Sequence, residues 1–194
     1  MNGSSKVRKI AVTGVLAAVA TVLMFLDFNV PVMPGFIKLD FSELPALLAS
    51  YALGPVSGIA VCFIKNLVNV LFSTTGGVGE LSNFVLGVCF VLPAGLIYQK
   101  RKTRKGAFWG ALLGAAVMAA LSVFSNYYVV YPIYTAFMPM ETILGMYRAI
   151  VPGVKNLWDA LLWFNLPFTF LKGMCSVAIA LLIYKPLSPL LKGR

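Results

Sequence analysis

Long apolar runs, separated by short polar stretches, constrain this chain more than any other feature of its sequence. Of its 194 residues, 60% are hydrophobic and 11% are charged. Soluble domains carry about 25% charged residues, and a chain with so few charges has too little polar side chain to cover a water-exposed surface. We therefore expect an all-α integral membrane protein, with residues 1–194 forming a single transmembrane domain.

Six runs are predicted to cross the bilayer, since a membrane-spanning helix needs about 20 apolar residues. The first run is longer than the apolar core of a signal peptide and has small residues throughout, so we interpret it as a retained helix. Residues 133–158 are interpreted as too polar to span. Pro167 is expected in the first turn of the last helix, where its missing N–H is tolerated. The predicted spans are 10–26, 39–53, 56–72, 81–98, 107–131 and 167–184.

Basic residues cluster at the ends of alternate spans. The six acidic residues all map to the opposite side or to the helix ends of that side. Because cytoplasmic loops of membrane proteins are enriched in Lys and Arg, we predict six spans with both termini in the cytoplasm. Eleven of the sixteen Lys and Arg residues carry this signal: Lys6, Arg8, Lys9, Lys100, Arg101, Lys102, Arg104, Lys105, Lys185, Lys192 and Arg194.

The composition excludes several kinds of chemistry. The chain has no histidine, which removes serine-type triads, histidine metal sites and histidine proton relays. It has no GxxxxGK[ST] phosphate loop, and Cys62, Cys89 and Cys175 lie singly in apolar runs, as buried small hydrophobic residues do. We therefore expect no catalytic residue, no metal, no cofactor and no binding of nucleic acid.

Polar side chains recur in the outer halves of four predicted spans. Placing such groups in lipid is costly, so they mark a functional site by default. We expect them to surround one pocket that opens to the outside and is closed within. Two alternatives stay open: Asn66 and Asn69 serve helix packing, or Lys65 extends to the membrane surface. The set comprises Lys65, Asn66, Asn69, Ser82, Asn83, Ser125, Asn126, Thr169 and Lys172.

Aromatic residues concentrate on the same outer side, Phe41 and Tyr131 among them. Many belong to the aromatic belt at the membrane surface, while others are candidates to stack on a planar solute. The first span carries a different signal, a stripe of small residues formed by Gly14, Ala17, Ala18 and Thr21. Such a stripe lets another helix approach closely, and either internal packing or a partner protein would use it.

Six short motifs follow one another in order along residues 8–185. Together they resemble the substrate-binding S components of the energy-coupling factor (ECF) vitamin transporters, and in particular those specific for riboflavin. The motifs are Leu39-Asp40-Phe41-Ser42-Glu43-Leu44-Pro45-Ala46-Leu47-Leu48, Gly54-Pro55-Val56-Ser57-Gly58, Lys65-Asn66-Leu67-Val68-Asn69, Gly79-Glu80-Leu81-Ser82-Asn83-Phe84, Asn126-Tyr127-Tyr128 through Tyr131-Pro132, and Pro167-Phe168-Thr169-Phe170-Leu171-Lys172-Gly173.

The resemblance implies a six-helix membrane bundle that binds a vitamin from outside. It also implies docking on a shared module of one transmembrane subunit and two ATPase subunits, with the transmembrane subunit contacting the small-residue face of the first helix. The residues that match the flavin site of the family are Asn126 and Lys172. The chain has Thr169 where members of the family often have Asn, and Asn165, one turn earlier, offers an amide in its place.

These observations lead to one function and two alternatives. We expect an S component of a prokaryotic, multi-pass cell-membrane transporter that takes up riboflavin with ATP-driven partners and has no enzymatic activity. The alternatives are an S component for another vitamin, such as thiamine, and a small membrane enzyme acting on lipid. The candidate partner-docking residues are Gly14, Ala17, Ala18 and Thr21, and the candidate substrate-binding residues are Asp40, Phe41, Asn83, Asn126, Tyr131, Thr169 and Lys172.

Overall fold

The computed structural model describes residues 3–35, 37–73 and 76–192; Arg194, one of the basic residues predicted for the inner side, lies outside them. Helices dominate the structure, and two of the longest contain a π-helical turn, called here π1 and π2. In chain order the elements are α1 (Gly3–Phe25), β1 (Phe28–Asn29), β2 (Lys38–Leu39), α2 (Glu43–Leu53), α3 (Pro55–Val70), α4 (Val78–Lys100), α5 (Arg104–Ser125), π1 (Asn126–Val130), α6 (Tyr131–Tyr134), α7 (Met140–Arg148), α8 (Leu157–Ala160), π2 (Leu161–Asn165) and α9 (Leu166–Lys192).

Four helical runs in the described part of the chain are long and apolar enough to cross a membrane. They are Ser5–Phe25, Val78–Lys100, Arg104–Tyr134 and Leu157–Leu187. The third run joins α5, π1 and α6, and the fourth joins α8, π2 and most of α9. The apolar helices α2 and α3 have only 11 and 16 residues. At 1.5 Å per residue, α2 rises about 16 Å, roughly half of a bilayer core.

Each π-helical turn lies just before a proline. Pro132 follows π1 and Pro167 follows π2, with one residue between in both cases. In an α-helix each backbone N–H donates to the carbonyl four residues earlier. Proline has no N–H to donate, and its ring clashes with that carbonyl. A π turn relieves this crowding by widening the helix: the N–H of Tyr131 reaches back five residues to the carbonyl of Asn126, and π2 repeats the geometry. Both helices therefore continue past their prolines.

The predicted boundaries of the last two spans are wrong for this reason. The fifth run continues to Tyr134, and the sixth begins at Leu157, well before the predicted start at Pro167. The segment between these runs also contains a helix, α7, which has 9 residues and is too short to span. Between the two runs lie residues 135–156, and they contain no helix long enough to span, as predicted for residues 133–158. Residues 133, 134, 157 and 158 belong to the runs themselves.

Close helix packing builds the centre of the bundle. A Cβ added at Gly114 of α5 would lie 2.3 Å from the carbonyl oxygen of Phe90 in α4, so only glycine allows this approach. The short helix α2 lies inside the bundle, where Ser50 donates a hydrogen bond of 2.8 Å to the carbonyl of Val91. Helix α1 packs on α2 and α3 and leaves most of its apolar surface exposed.

A short β-hairpin connects α1 to α2. Phe28 pairs with Leu39 and Asn29 pairs with Lys38 in antiparallel register. An exposed ion pair of 3.0 Å between Lys38 Nζ and Asp27 Oδ1 joins the two arms. The hairpin therefore fixes the segment that leads into the N-terminus of α2. Three polar residues of this segment, Asp40, Ser42 and Glu43, are buried.

Candidate ligand-binding site

A cavity of about 240 Å³ lies at the end of the bundle where α2 begins. Its walls come from the hairpin, the first residue of α2, the first turns of α4, and the two helical runs that contain π1 and π2. The lining mixes amide, hydroxyl, charged and aromatic side chains. It consists of Ile37, Lys38, Glu43, Gly79, Ser82, Asn83, Leu86, Met118, Asn126, Val130, Tyr131, Tyr134, Asn165, Phe168, Thr169 and Lys172.

Five of the seven predicted substrate-binding residues line this one cavity. They are Asn83, Asn126, Tyr131, Thr169 and Lys172. They come from three helical runs that are far apart in sequence, and the packing of α4, α5 and α9 brings them together.

The other two predicted residues do not line the cavity. Asp40 lies directly behind it and bonds to Lys172, whose side chain does line it. Phe41 packs against Phe28 of the hairpin, with ring centroids 6.0 Å apart. The structure thus places Asp40 in a supporting position and Phe41 in the hairpin packing.

Lys172 is held by an ion pair that crosses the bundle. Its Nζ donates to Asp40 Oδ2 at 2.7 Å, and the two side chains are 14% and 10% exposed. Asp40 Oδ1 accepts a second bond of 2.8 Å from the backbone N–H of Ser42. Burial alone would raise the pKa of Asp40, but the ammonium groups of Lys172 and Lys65 outweigh it and hold this pKa well below its usual value.

A second ion pair lies deeper, between Lys65 and Glu43. Lys65 Nζ donates to Glu43 Oε1 at 2.6 Å and to Ser42 Oγ at 2.6 Å. The lysine side chain is fully buried and that of Glu43 is 2% exposed. The alternative in which Lys65 extends to the membrane surface is therefore wrong, because its ammonium group is paired inside the bundle. If the lysine side chain reached the surface instead, Glu43 would be left as an unpaired buried charge.

The two pairs share one small region, so the wall of the cavity at α2 is electrically balanced. The two lysines that line the cavity are both paired, Lys172 with Asp40 and Lys38 with Asp27. Glu43, which also lines it, is paired with Lys65. A ligand therefore meets polar hydrogen-bonding groups but, among the described residues, no lining cation without an acidic partner.

The remaining polar residues of the predicted ring divide between ligand and packing positions. Ser82 and Ser125 bond to each other at 3.0 Å and link α4 to α5. Asn66 donates to the carbonyl of Cys62 one turn earlier, at 2.8 Å, and is not among the residues that line the cavity. Asn69 is not among the lining residues either. The structure thus places neither Asn66 nor Asn69 in the cavity, and the bond of Asn66 stays within α3.

Several lining residues were not among the seven predicted substrate-binding residues, and the structure explains three of them, Asn165, Tyr134 and Glu43. Asn165 closes π2, in a helical run that was expected to begin only at Pro167. Phe168 lies in the first turn of α9, inside the predicted sixth span. Tyr134 lies beyond the predicted end of the fifth span and packs on Tyr131, with ring centroids 5.9 Å apart. Glu43 belongs to a buried ion pair that sequence spacing does not reveal. The polarity of Asn165 inside an aromatic run was the one available signal.

The two π turns have a direct role in the cavity. π1 begins with Asn126 and π2 ends with Asn165, and both amides line it. With Asn83 from α4, three amides converge on one space. An amide side chain offers both donors and an acceptor, so this set can pair with the alternating donors and acceptors of a heterocyclic edge. Tyr131 lines the cavity, and its hydroxyl is hydrogen-bonded to the hydroxyl of Tyr147, which does not line it.

The predicted docking stripe of α1 divides between two faces. Ala17 is 1% exposed and packs inside the protein, and Thr21 is half-buried, with its hydroxyl bonded to the carbonyl of Ala17 at 2.9 Å. Gly14 and Ala18 are exposed, and none of the four lines the cavity. Ala17 is thus corrected to an internal packing residue, and the outward face of α1 keeps Gly14 and Ala18.

Comparisons with known proteins agree on one family. The family model described as ECF transporter, substrate-specific component, matches residues 8–184. The chain is similar to the riboflavin transporter RibU of Staphylococcus aureus (33% identical, covering 99% of each chain) and to the riboflavin transporter FmnP of Bacillus subtilis (35% identical, covering 95% of this chain and 94% of the relative). It is also similar to a solved S component of a bacterial ECF transporter, with a TM-score of 0.74, 34% identity, and coverage of 96% of this chain and 99% of that one.

Proposed function

Since the chain belongs to the substrate-specific S components of ECF transporters, we propose that it captures riboflavin from outside the cell and delivers it inward with an ATP-driven module. The observation that carries the proposal is the convergence of Asn83, Asn126 and Asn165 on one cavity beside the anchored Lys172. The chain has no enzymatic role in this proposal, and riboflavin is its cargo and not a cofactor.

Riboflavin suits the groups of the cavity. Its ring system is planar and aromatic, and one edge alternates donors and acceptors as uracil does. The three amides can pair with that edge, while Phe168, Tyr131 and Tyr134 supply aromatic surface for the rings. Thr169 offers one further hydroxyl, and Lys172 Nζ retains protons for a carbonyl or hydroxyl oxygen beyond the one given to Asp40.

The charge balance of the cavity favours the free vitamin over its phosphate ester. A phosphate group is bound best by several cations in charge-assisted hydrogen bonds. Lys38 and Lys172 already face the carboxylates of Asp27 and Asp40, so a phosphate would have to compete with them. We therefore expect riboflavin to bind more tightly than riboflavin 5′-phosphate.

We further propose six membrane segments with both termini in the cytoplasm. The distribution of Lys and Arg supports this orientation, because the end of the bundle opposite the cavity carries five basic residues in the α4–α5 loop and the helix ends beside it. The cavity then opens to the outside. In the same proposal the outward face of α1, with Gly14 and Ala18, contacts the transmembrane partner subunit of the module.

Isothermal titration of the detergent-purified protein with riboflavin, thiamine and riboflavin 5′-phosphate tests the proposal. We expect one riboflavin per chain, weaker binding of the phosphate ester and no binding of thiamine. Thiamine binding without riboflavin binding would favour the alternative vitamin, and the absence of binding by any of the three would leave the cavity without its proposed ligand. Topology is tested separately, by reacting single introduced cysteines at both termini with a membrane-impermeant thiol reagent in whole cells.

A further inference from the structure

A second cavity, of about 530 Å³, lies at the opposite end of the bundle from the riboflavin cavity. It is enclosed by the last turn of α2, the end of α4, the start of α5 and the C-terminal half of α9. Three basic side chains line it: Lys102 from the α4–α5 loop, Arg104 from the first residue of α5 and Lys185 from α9. We propose that this cavity binds the headgroup of an anionic phospholipid.

Three tyrosines build its inner wall. The ring centroids of Tyr51 and Tyr98 are 4.9 Å apart, and that of Tyr184 lies 5.8 Å from both. Their hydroxyls are engaged within the wall: Tyr51 donates to the carbonyl of Ala107 at 2.8 Å, Tyr98 to the hydroxyl of Tyr184 at 3.3 Å, and Tyr184 to the carbonyl of Tyr51 at 3.4 Å. This network joins α2, α4, α5 and α9, so the cavity is a packed feature of the bundle and not a gap between loose side chains.

Charge at this end is of one sign. None of the residues that line the cavity is acidic, and in the described part of the chain no carboxylate forms an ion pair with Lys102, Arg104 or Lys185. This contrasts with the riboflavin cavity, where both lining lysines are paired. Three exposed cations around one recess favour an anion, and a phosphate ester accepts several charge-assisted hydrogen bonds at once.

The arrangement of polar and apolar residues identifies the anion as a lipid. Ala107 of α5 follows Thr103, the cap of that helix, by one turn, and on α9 Leu181 lies one turn inward of Lys185 and Pro189 one turn outward. Going inward from Thr103 and Lys185, each wall therefore changes from basic or hydroxyl-bearing to apolar over about 6 Å, the rise of four residues. A phospholipid has the same polarity gradient from its phosphate to its acyl chains, whereas a soluble phosphate has no apolar part. Basic recesses between membrane helices on the cytoplasmic side are known to suit such headgroups.

Native mass spectrometry of the intact protein in micelles containing equal phosphatidylglycerol and phosphatidylcholine tests the proposal. The site variant is Lys102→Ala/Lys185→Ala. The matched control is Lys6→Ala/Lys9→Ala, which removes two lysines from the first turns of α1 at the same end of the bundle. We expect the wild type and the control to retain phosphatidylglycerol preferentially, and the site variant to lose about 10- to 30-fold of that retention, as removal of two membrane-proximal cations predicts.

A third variant separates the cavity from simple surface charge. Leu181→Trp places a large side chain in the apolar part of the recess and leaves every cation in place. We expect it also to lose phosphatidylglycerol, while eluting as the wild type does in size-exclusion chromatography. Equal loss in the site variant and the control, or full retention by Leu181→Trp, would overturn the proposal. Displacement of the lipid by millimolar inorganic phosphate would also overturn it, since the occupant would then be a soluble anion.

Discussion

Asp40 and Lys172 lie 132 residues apart in the chain, and their side chains meet at 2.7 Å beside the proposed riboflavin cavity. This pair joins the loop before α2 to α9, the helix that supplies Phe168 and Thr169 to the same cavity. It has two consequences for the proposed function. It fixes the direction of the lysine side chain, and it neutralises the charge that Lys172 would otherwise present to a ligand.

We predict that Asp40→Asn changes which flavin is preferred. The substitution leaves Lys172 as an unpaired cation in the cavity wall, and a phosphate ester can then use it. The ratio of affinities for riboflavin 5′-phosphate and riboflavin should rise about tenfold, corresponding to about 1.4 kcal/mol. Titration of both ligands measures this ratio. The control is Asp159→Asn, the same chemical change outside the cavity; a similar rise there would contradict the prediction.

We predict that Asn126→Ala weakens riboflavin binding by about 1–3 kcal/mol, because it leaves a polar group of the ligand without a partner in a site shielded from water. Lys172→Ala should cost a similar amount for the same reason. Asn69→Ala removes the same kind of side chain from α3, outside the cavity, and is expected to bind as the wild type does. Comparable losses at Asn69 and Asn126, measured by titration, would place the ligand elsewhere.

The sequence was sufficient to predict the polar positions on long helices but not the local geometry around the prolines. Asn83, Asn126 and Lys172 could be predicted because placing an amide or an ammonium group in an apolar, membrane-spanning run is energetically costly and indicates a functional site. Asn165 was predicted only as a substitute for a missing amide, since π2 and the extension of the helix to Leu157 depend on how the chain packs around Pro167.

Contacts between distant segments were equally hidden. The burial of Lys65 requires Glu43, a residue on another helix, to be 2.6 Å away. The inward orientation of Ala17 depends on which side of α1 meets α2 and α3, and small residues on both sides of the helix left that choice open. Periodicity predicts that a helix exists; the partner of each face is decided by packing.

We predict that Lys65→Met destabilises the protein by about 3–5 kcal/mol, because it leaves the carboxylate of Glu43 buried without its cation. The double variant Lys65→Met/Glu43→Gln removes both charges and should recover most of the loss. Thermal unfolding in detergent without riboflavin measures both effects. If the double variant is no more stable than Lys65→Met, the two charges do not depend on each other.

We predict that riboflavin binding is unchanged between about pH 8 and about pH 5, a window in which histidine would titrate and this chain has none. The pKa of Asp40 is lowered in the folded protein. Its contribution to stability is therefore fully present above the usual aspartate value near 3.9 and is lost only as the pH falls through the lower folded value. Titrations across the window check this, and an affinity change of more than about threefold would contradict it.

The last prediction concerns two neighbouring alanines of α1 that face opposite ways. Ala18→Trp points outward, so the isolated protein should fold and bind riboflavin as the wild type does, while co-purification with the transmembrane subunit and cellular uptake of riboflavin fall together, since membrane helices associate through close packing of small residues. Ala17→Trp places the same side chain in the packed interior, where overpacking costs about 1–3 kcal/mol or more, and should lower thermal stability first. Loss of riboflavin binding in Ala18→Trp with the complex intact would instead place α1 at the cavity and contradict the division of α1 into an inner and an outer face.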